Sequence, residues 1–208
     1  MIRMLHFADV HIGMENYGRT EPSTGLSSRV VDFLRRMDEM VEYARENDVD
    51  MVVFAGDAFK NRQPNPTFQR EFAWRVRDLC DTCPVVLLVG NHDLPTSLAR
   101  ASSIEIYQTL NVPNVVVGDT YELHQLDTKS GPVQVATAPY PTRARLLDGG
   151  NSEKHSMTLA QVDQELQVAL QTILGELARR AAASEAPRVL TGHFTITGAT
   201  YGSERGVM

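Results

Sequence analysis

Few residues of this chain are of the kinds that mark special environments. Only two of its 208 residues are cysteine and one is tryptophan. Two cysteines cannot build a disulfide framework, and the first residues, Ile2-Arg3-Met4-Leu5-His6-Phe7-Ala8, are too short and too polar for a signal peptide, so a reducing cytoplasm is the expected setting. No apolar run approaches the roughly 20 residues that span a bilayer. Positive charge is not in excess either: the net charge of −6 excludes a protein that coats nucleic acid by bulk electrostatics, so any contact with DNA has to be local.

What is present is an ordinary globular composition, 42% hydrophobic and 22% charged, long enough for one domain to bury a core without disulfides or structural metal. Ile2–Ala8 reads as a buried strand, and Ser27 or Ser28 caps a helix carrying Val30, Val31, Leu34, Met37, Met40, Val41 and Ala44. Met51–Ala55 and Val85–Val89 are continuous apolar strands flanking a helix over Pro66–Leu79. Strands alternating with helices imply a largely parallel sheet covered on both faces. Further on, Ser102–Leu110 predicts a short helix, and Val115–Val117, Tyr121–Leu126 and Val133–Ala138 predict an antiparallel extension. Pro139–Ser156 reads as a loop, Thr158 caps a long helix, and Arg188–Thr191 is the last strand. Cys80 and Cys83 sit where a helix runs out, so buried structural thiols fit better than a redox or zinc motif.

The polar exceptions fall at strand ends. Asp9-Val10-His11, Gly56-Asp57, Gly90-Asn91-His92-Asp93 and Gly192-His193 each follow an apolar strand directly. Ligands of open α/β sheets bind beyond the carboxyl ends of the strands, so these loops are expected to meet on one rim. Carboxylates, an amide oxygen and imidazoles form a mixed oxygen and nitrogen donor set, suited to Mn²⁺, Fe²⁺ or Zn²⁺. Two such ions about 3.5–4 Å apart would fit in-line phosphoryl displacement by an activated water. His6, His124 and His155 are expected to pack or face solvent. Lys60, Arg62, Arg70, Arg143 and Arg145 are candidates for local phosphate contacts.

These four motifs resemble the successive motifs of the calcineurin-like metallophosphoesterases. Leu5–Gly13, Ala55–Phe59, and Thr191–Phe194 followed by Gly202-Ser203-Glu204-Arg205 resemble the SbcD branch, the nuclease subunit of double-strand-break repair complexes. The resemblance implies an α/β fold of mixed, mostly parallel β-sheets in a sandwich flanked by helices, with residues 1–208 forming a metallophosphoesterase domain. It implies that Asp9 and His11 hold one ion, that Asp57 bridges both, and that Asn91 and His193 hold the other. His92 would stabilise the transition state or protonate the leaving oxygen, with Asp93 orienting it. The family's closing Gly-His-x-His motif does not occur before Met208, so the resemblance implies a domain truncated before its final metal motif, one ligand short at each ion and weakly active. It also implies Mn²⁺ dependence, action on DNA ends, an SbcC-type coiled-coil ATPase partner, and a homodimer paired through helices bearing Phe68, Phe72, Ile104, Ile106 and Tyr107. Two other readings fit the same motifs: a general phosphomonoesterase or cyclic-nucleotide phosphodiesterase, and a non-catalytic scaffold that binds DNA ends.

Overall fold

A computed structural model describes residues 1–95, 97, 100–147 and 158–196. Strands β1 (Met4–Phe7), β2 (Met51–Phe54), β3 (Val85–Leu88) and β4 (Val115–Gly118) form a parallel sheet in that order. Helices α1 (Ser28–Glu46) and α2 (Pro66–Cys80) are the crossovers between its first three strands. A second sheet of order β5-β6-β7 comprises the antiparallel pair β5 (Glu122–Thr128) and β6 (Gly131–Ala138), with β7 (Arg188–Gly192) parallel to β6.

Side-chain alternation sorts the central strands between two cores. Val52 and Phe54 of β2, with Val85 and Leu87 of β3, enter the core under α1 and α2. Met51, Val53 and Val86 face the other way and meet Leu126, Val133 and Val135 of the second sheet. The continuous apolar runs of β2 and β3 are therefore needed on both faces, as in a sandwich with helices outside. Helix α1 presents Val30, Leu34, Met37, Val41 and Ala44 to this core at helical spacing. Helix α2 starts at Asn65, whose side chain accepts from the Phe68 N–H, with Pro66 at the first helical position where its missing N–H costs nothing. Arg75 links the two helices through Asp38, Glu71 and the Leu34 carbonyl.

Four expectations are corrected. Strand β1 is not buried: it is the sheet's edge, and Met4 and His6 are exposed. Strand β4 pairs parallel with β3, so the antiparallel part begins only at β5; the short helix α3 (Ile106–Thr109) lies on the crossover that returns β4 in the same direction. The helix expected from Ser102 is this single four-residue turn. The stretch expected to be loop contains helix α4 (Arg143–Leu146), capped by Thr142, whose side chain accepts from the Arg145 N–H; the part of that loop over residues 148–157, His155 included, lies outside the described residues.

Helix α5 (Leu159–Ala181) opens with a capping box between Thr158 and Gln161 and packs against β5 and β6. Of the five apolar residues expected on a pairing face, Phe72, Ile104 and Tyr107 are buried in the core, Phe68 is half-buried and Ile106 is exposed. No described helix is long and apolar enough to cross a membrane.

Both cysteines are free and buried, and the Cys80 thiol donates to the Arg77 carbonyl. Burial pushes both thiols up, Cys83 to about 11. Since the thiolate is the reactive form, neither thiol should react with Ellman's reagent within minutes at pH 8 in the native chain, whereas both should react in guanidinium. Rapid native labelling would show that the helix end is open.

Candidate metal centre

Beyond its last ladder bond the first sheet continues as two laced loops. Ala55 N–H donates to the Phe7 carbonyl, Asp9 N–H to the Gly56 carbonyl at 3.0 Å, and His11 N–H to the Asp57 carbonyl at 3.1 Å. The chain makes these bonds by turning at Asp9, His11 and Asp57, whose φ values of 55°, 47° and 63° lie in the left-handed region. Asp and His tolerate that region better than most residues, yet each such position stores strain of order 1–3 kcal/mol and persists only where its surroundings enforce it. All three are residues expected to bind metal.

Glycine is required at two neighbouring points. At Gly56 (φ 103°) an added Cβ would lie 2.6 Å from His193 Nδ1, and at Gly90 it would collide with the Asp57 carboxylate. The loops after β2, β3 and β7 therefore approach too closely for any side chain at these positions.

Asp57 is the centre of the cluster, its side chain only 4% exposed. Its Oδ1 accepts the His92 backbone N–H at 2.9 Å. Its Oδ2 lies 3.7 Å from His11 Nε2 and 3.6 Å from His193 Nε2. His11 Nε2 is also 3.7 Å from Asp9 Oδ1, and Asp9 stands at the solvent edge. The strand-end residue His193 arrives from the second sheet, held by its own N–H to the Ala138 carbonyl.

Two backbone carbonyls set the imidazoles. His193 Nδ1 is 2.7 Å from the Ala55 carbonyl and His92 Nδ1 is 2.8 Å from the Lys60 carbonyl. A carbonyl only accepts, so each Nδ1 carries hydrogen and each Nε2 of the neutral ring turns a lone pair inward. His193 Nε2 then faces the Asn91 side-chain oxygen at 3.0 Å and the Asp57 carboxylate. Three electron-pair donors thus converge with no hydrogen among them, an arrangement that a divalent cation satisfies. His11, Asp57 and His92 bring one ligand atom each within 4.8 Å of one another, as do Asp9, Asp57 and His193. Asp57 belongs to both groups, each of which fits a divalent cation.

All seven residues singled out from the sequence come together here. Two details differ from expectation. His92 stands close enough to His11 and Asp57 to be a ligand. The residue that orients it is Lys60, through its carbonyl, and not Asp93. The Asp93 carboxylate is fully buried and ties the loops instead: Oδ2 accepts the N–H groups of Asp57 at 2.8 Å and Gly90 at 3.0 Å, while Oδ1 accepts Ala58 N–H and Ser103 Oγ–H, each at 3.1 Å. Burial pushes this carboxyl's pKa up, and the N–H groups aimed at it oppose that push. The roles of the Ala55 and Lys60 carbonyls and of Ser103 were not found from the sequence, because a carbonyl carries no residue signature and a serine beyond the motif has none. His6 and His124 belong to neither ligand group; His124 pairs with the Thr137 hydroxyl on the second sheet, and burial lowers its pKa.

A family model described as calcineurin-like phosphoesterase matches residues 2–206. The chain belongs to the calcineurin-like phosphoesterase family. Its two-sheet α/β architecture is that family's fold. Among curated proteins this calcineurin-like phosphoesterase is 28% identical over 148 residues to SbcD of the Bacillus subtilis nuclease SbcCD, covering 70% of this chain and 35% of that protein. It is 27% identical over 209 aligned positions to SbcD of the Escherichia coli nuclease SbcCD, covering 96% and 48%. It is 35% identical over 119 residues to the DNA double-strand break repair protein Mre11 of Thermoplasma acidophilum, covering 57% and 29%. The chain spans about half or less of the length of these relatives.

Replacing Asp93 by Asn turns an NH₂ group toward donors that have no other acceptor. Urea unfolding of Asp93→Asn should show a loss of about 3 kcal/mol, and calorimetric titration should show weaker Mn²⁺ binding as the Asp57 loop loosens. Unchanged stability would mean that the loops hold together without this carboxylate.

Proposed function

We propose that this chain hydrolyses phosphodiester bonds in DNA, as the phosphoesterase part of an SbcD-type nuclease acting at DNA ends in double-strand-break repair. The observation that carries the reading is the sharing of the buried Asp57 carboxylate between two ligand groups. The SbcD and Mre11 relatives, named as nuclease and repair proteins, favour DNA among the family's substrates.

In this reading Asp9, His11 and Asp57 would hold one cation, and Asp57, Asn91 and His193 the other; the donor set suits Mn²⁺, Fe²⁺ or Zn²⁺, and the SbcD likeness favours Mn²⁺. When bound, such a pair supplies positive charge against the phosphate and makes a water nucleophilic near neutral pH. The protein's own part is positional. His92, fixed at Nδ1 by Lys60, keeps Nε2 free to carry a proton toward the leaving oxygen. With His92 protonated on both nitrogens in the reacting complex, its Nε2 proton passes to the leaving oxygen as the bond from water oxygen to phosphorus forms and the bond to that oxygen breaks, and the proton lost by the water restores Nε2–H, giving a phosphomonoester and an alcohol. Asp93 serves as a positioning residue by fixing the Asp57 and Gly90 loops.

The same reading brings an SbcC-type ATPase as partner and a homodimer. A groove of about 460 Å³ beside α2 and α3 has Trp74, Ile106 and Leu110 exposed at its lining, an apolar face suited to a second copy. If that face pairs two chains, Ile106→Glu should convert a dimer to a monomer in sedimentation equilibrium; an unchanged mass would place any pairing elsewhere.

Linear duplex DNA and 4-nitrophenyl phosphate, each with and without Mn²⁺, test the substrate. Mn²⁺-dependent loss of DNA, reduced at least a thousandfold by Asp57→Ala, is expected, whereas turnover of the monoester alone would make the protein a phosphatase. His92→Asn should lower kcat by about 10²–10⁴ without changing Mn²⁺ stoichiometry in calorimetry. Loss of one Mn²⁺ in that variant would make His92 a ligand instead.

A further inference from the structure

Five basic residues near the motifs were candidates for phosphate contacts, and the structure separates them. Arg70 pairs with Glu71 and stacks over the Trp74 ring at 4.9 Å. The Lys60 carbonyl holds His92, and its side chain lines none of the described cavities. Arg143 and Arg145 are on α4, where Arg145 carries a buried terminal nitrogen. Of the five, only Arg62 lines a described cavity that also contains a residue of the metal centre. That cavity, of about 200 Å³, has Asn91, Tyr140 and Thr142 in its wall. Tyr140 leans on His193 from the same side, ring centroids 6.2 Å apart.

Arg62 also lines a second cavity of about 430 Å³, away from the metal centre, with Gln63, Gln69 and Ser102. It thus lines both a cavity at the metal centre and an open groove of mixed polar and apolar lining. The side chain is exposed, and its guanidinium has no hydrogen bond or ion pair among the described residues. Ser102 Oγ, buried at the wall of that groove, also lacks a hydrogen-bond partner among them. A free guanidinium with a buried hydroxyl lacking a partner in the groove beside it is suited to an anionic oxygen group.

We propose that Arg62 and the groove it overhangs form a second-phosphate subsite, which holds the phosphate one nucleotide from the scissile one. The proposal rests on the phosphodiesterase reading and deepens it by naming a determinant of polynucleotide over small esters. A polynucleotide carries a phosphate on every nucleotide, so one held at the metal centre has a neighbour for Arg62 to meet; a nitrophenyl ester has none. The contact positions the substrate, because it lies on the backbone and away from the reacting atoms.

The test is binding of a fluorescein-labelled single-stranded oligonucleotide by this chain, by Arg62→Ala and by Arg62→Lys, each followed by polarisation over a range of salt. Arg62→Ala should bind about tenfold more weakly, with the slope of log K against log salt reduced by about 0.7, and Arg62→Lys should recover much of both. In Mn²⁺ the loss should appear in KM more than kcat, and the ratio of kcat/KM for DNA to that for bis(4-nitrophenyl) phosphate should fall about tenfold. Circular dichroism melting of the variants verifies that they fold. If the wild type binds the oligonucleotide and Arg62→Ala binds equally well with the same salt slope, the subsite is wrong while the nuclease reading stands. An equal loss on both substrates would also overturn it. If the wild type binds no oligonucleotide yet hydrolyses the small diester, both readings fall.

Discussion

A carboxylate at the meeting point of two sheets, shielded from water and facing two imidazoles at 3.6 and 3.7 Å, organises this molecule. Removing an ionised carboxylate from water is costly unless positive charge or hydrogen bonds replace the solvent. Asp57 receives one backbone N–H from His92, and no lysine or arginine pairs with it among the described residues. Its remaining oxygen faces the lone pair of His193 Nε2 and the Nε2 of His11. That arrangement is stable with cations between them, and it explains why left-handed backbone, close glycine approaches and a second buried carboxylate are all found within one small volume.

The second carboxylate is the structural counterpart of the first. Asp93 spends its acceptor capacity on backbone N–H groups from the loops after β2 and β3 and on one hydroxyl, so it sets the distance between those loops. Two adjacent aspartates thus have opposite tasks. One leaves a lone pair facing the gap; the other is saturated by donors and holds the gap's walls. The exposed Asp9 completes the rim on the solvent side.

Strand ends that bear ligands were legible in the sequence because each lies next to an apolar run, and a run buried on both faces cannot accept a charge in its middle. Alternation along β2 and β3 was legible as a continuous run, but which residues face helices and which face the second sheet depends on the sandwich. Strand β4 was misread because three valines followed by glycine carry no sign of strand direction; the crossover through α3 decides it. The buried positions of Phe72, Ile104 and Tyr107, against the exposed Ile106, follow from how α2 and α3 lie on the sheet, which periodicity over a four-residue helix cannot register.

By itself, the sequence determined the kinds of donor atom available, their attachment to strand ends, and the order of the helices and strands that deliver them, since these are local consequences of hydrophobic pattern and residue chemistry. Tertiary structure alone decided that His193, 138 residues from Ala55, is oriented by that residue's carbonyl, that Lys60 and not Asp93 sets the His92 tautomer, and that Arg62 shares a cavity wall with Asn91. The physical reason is common to all three. A backbone carbonyl or a cavity wall acts through distance and direction in space, and neither is encoded in the identity of the residue that provides it.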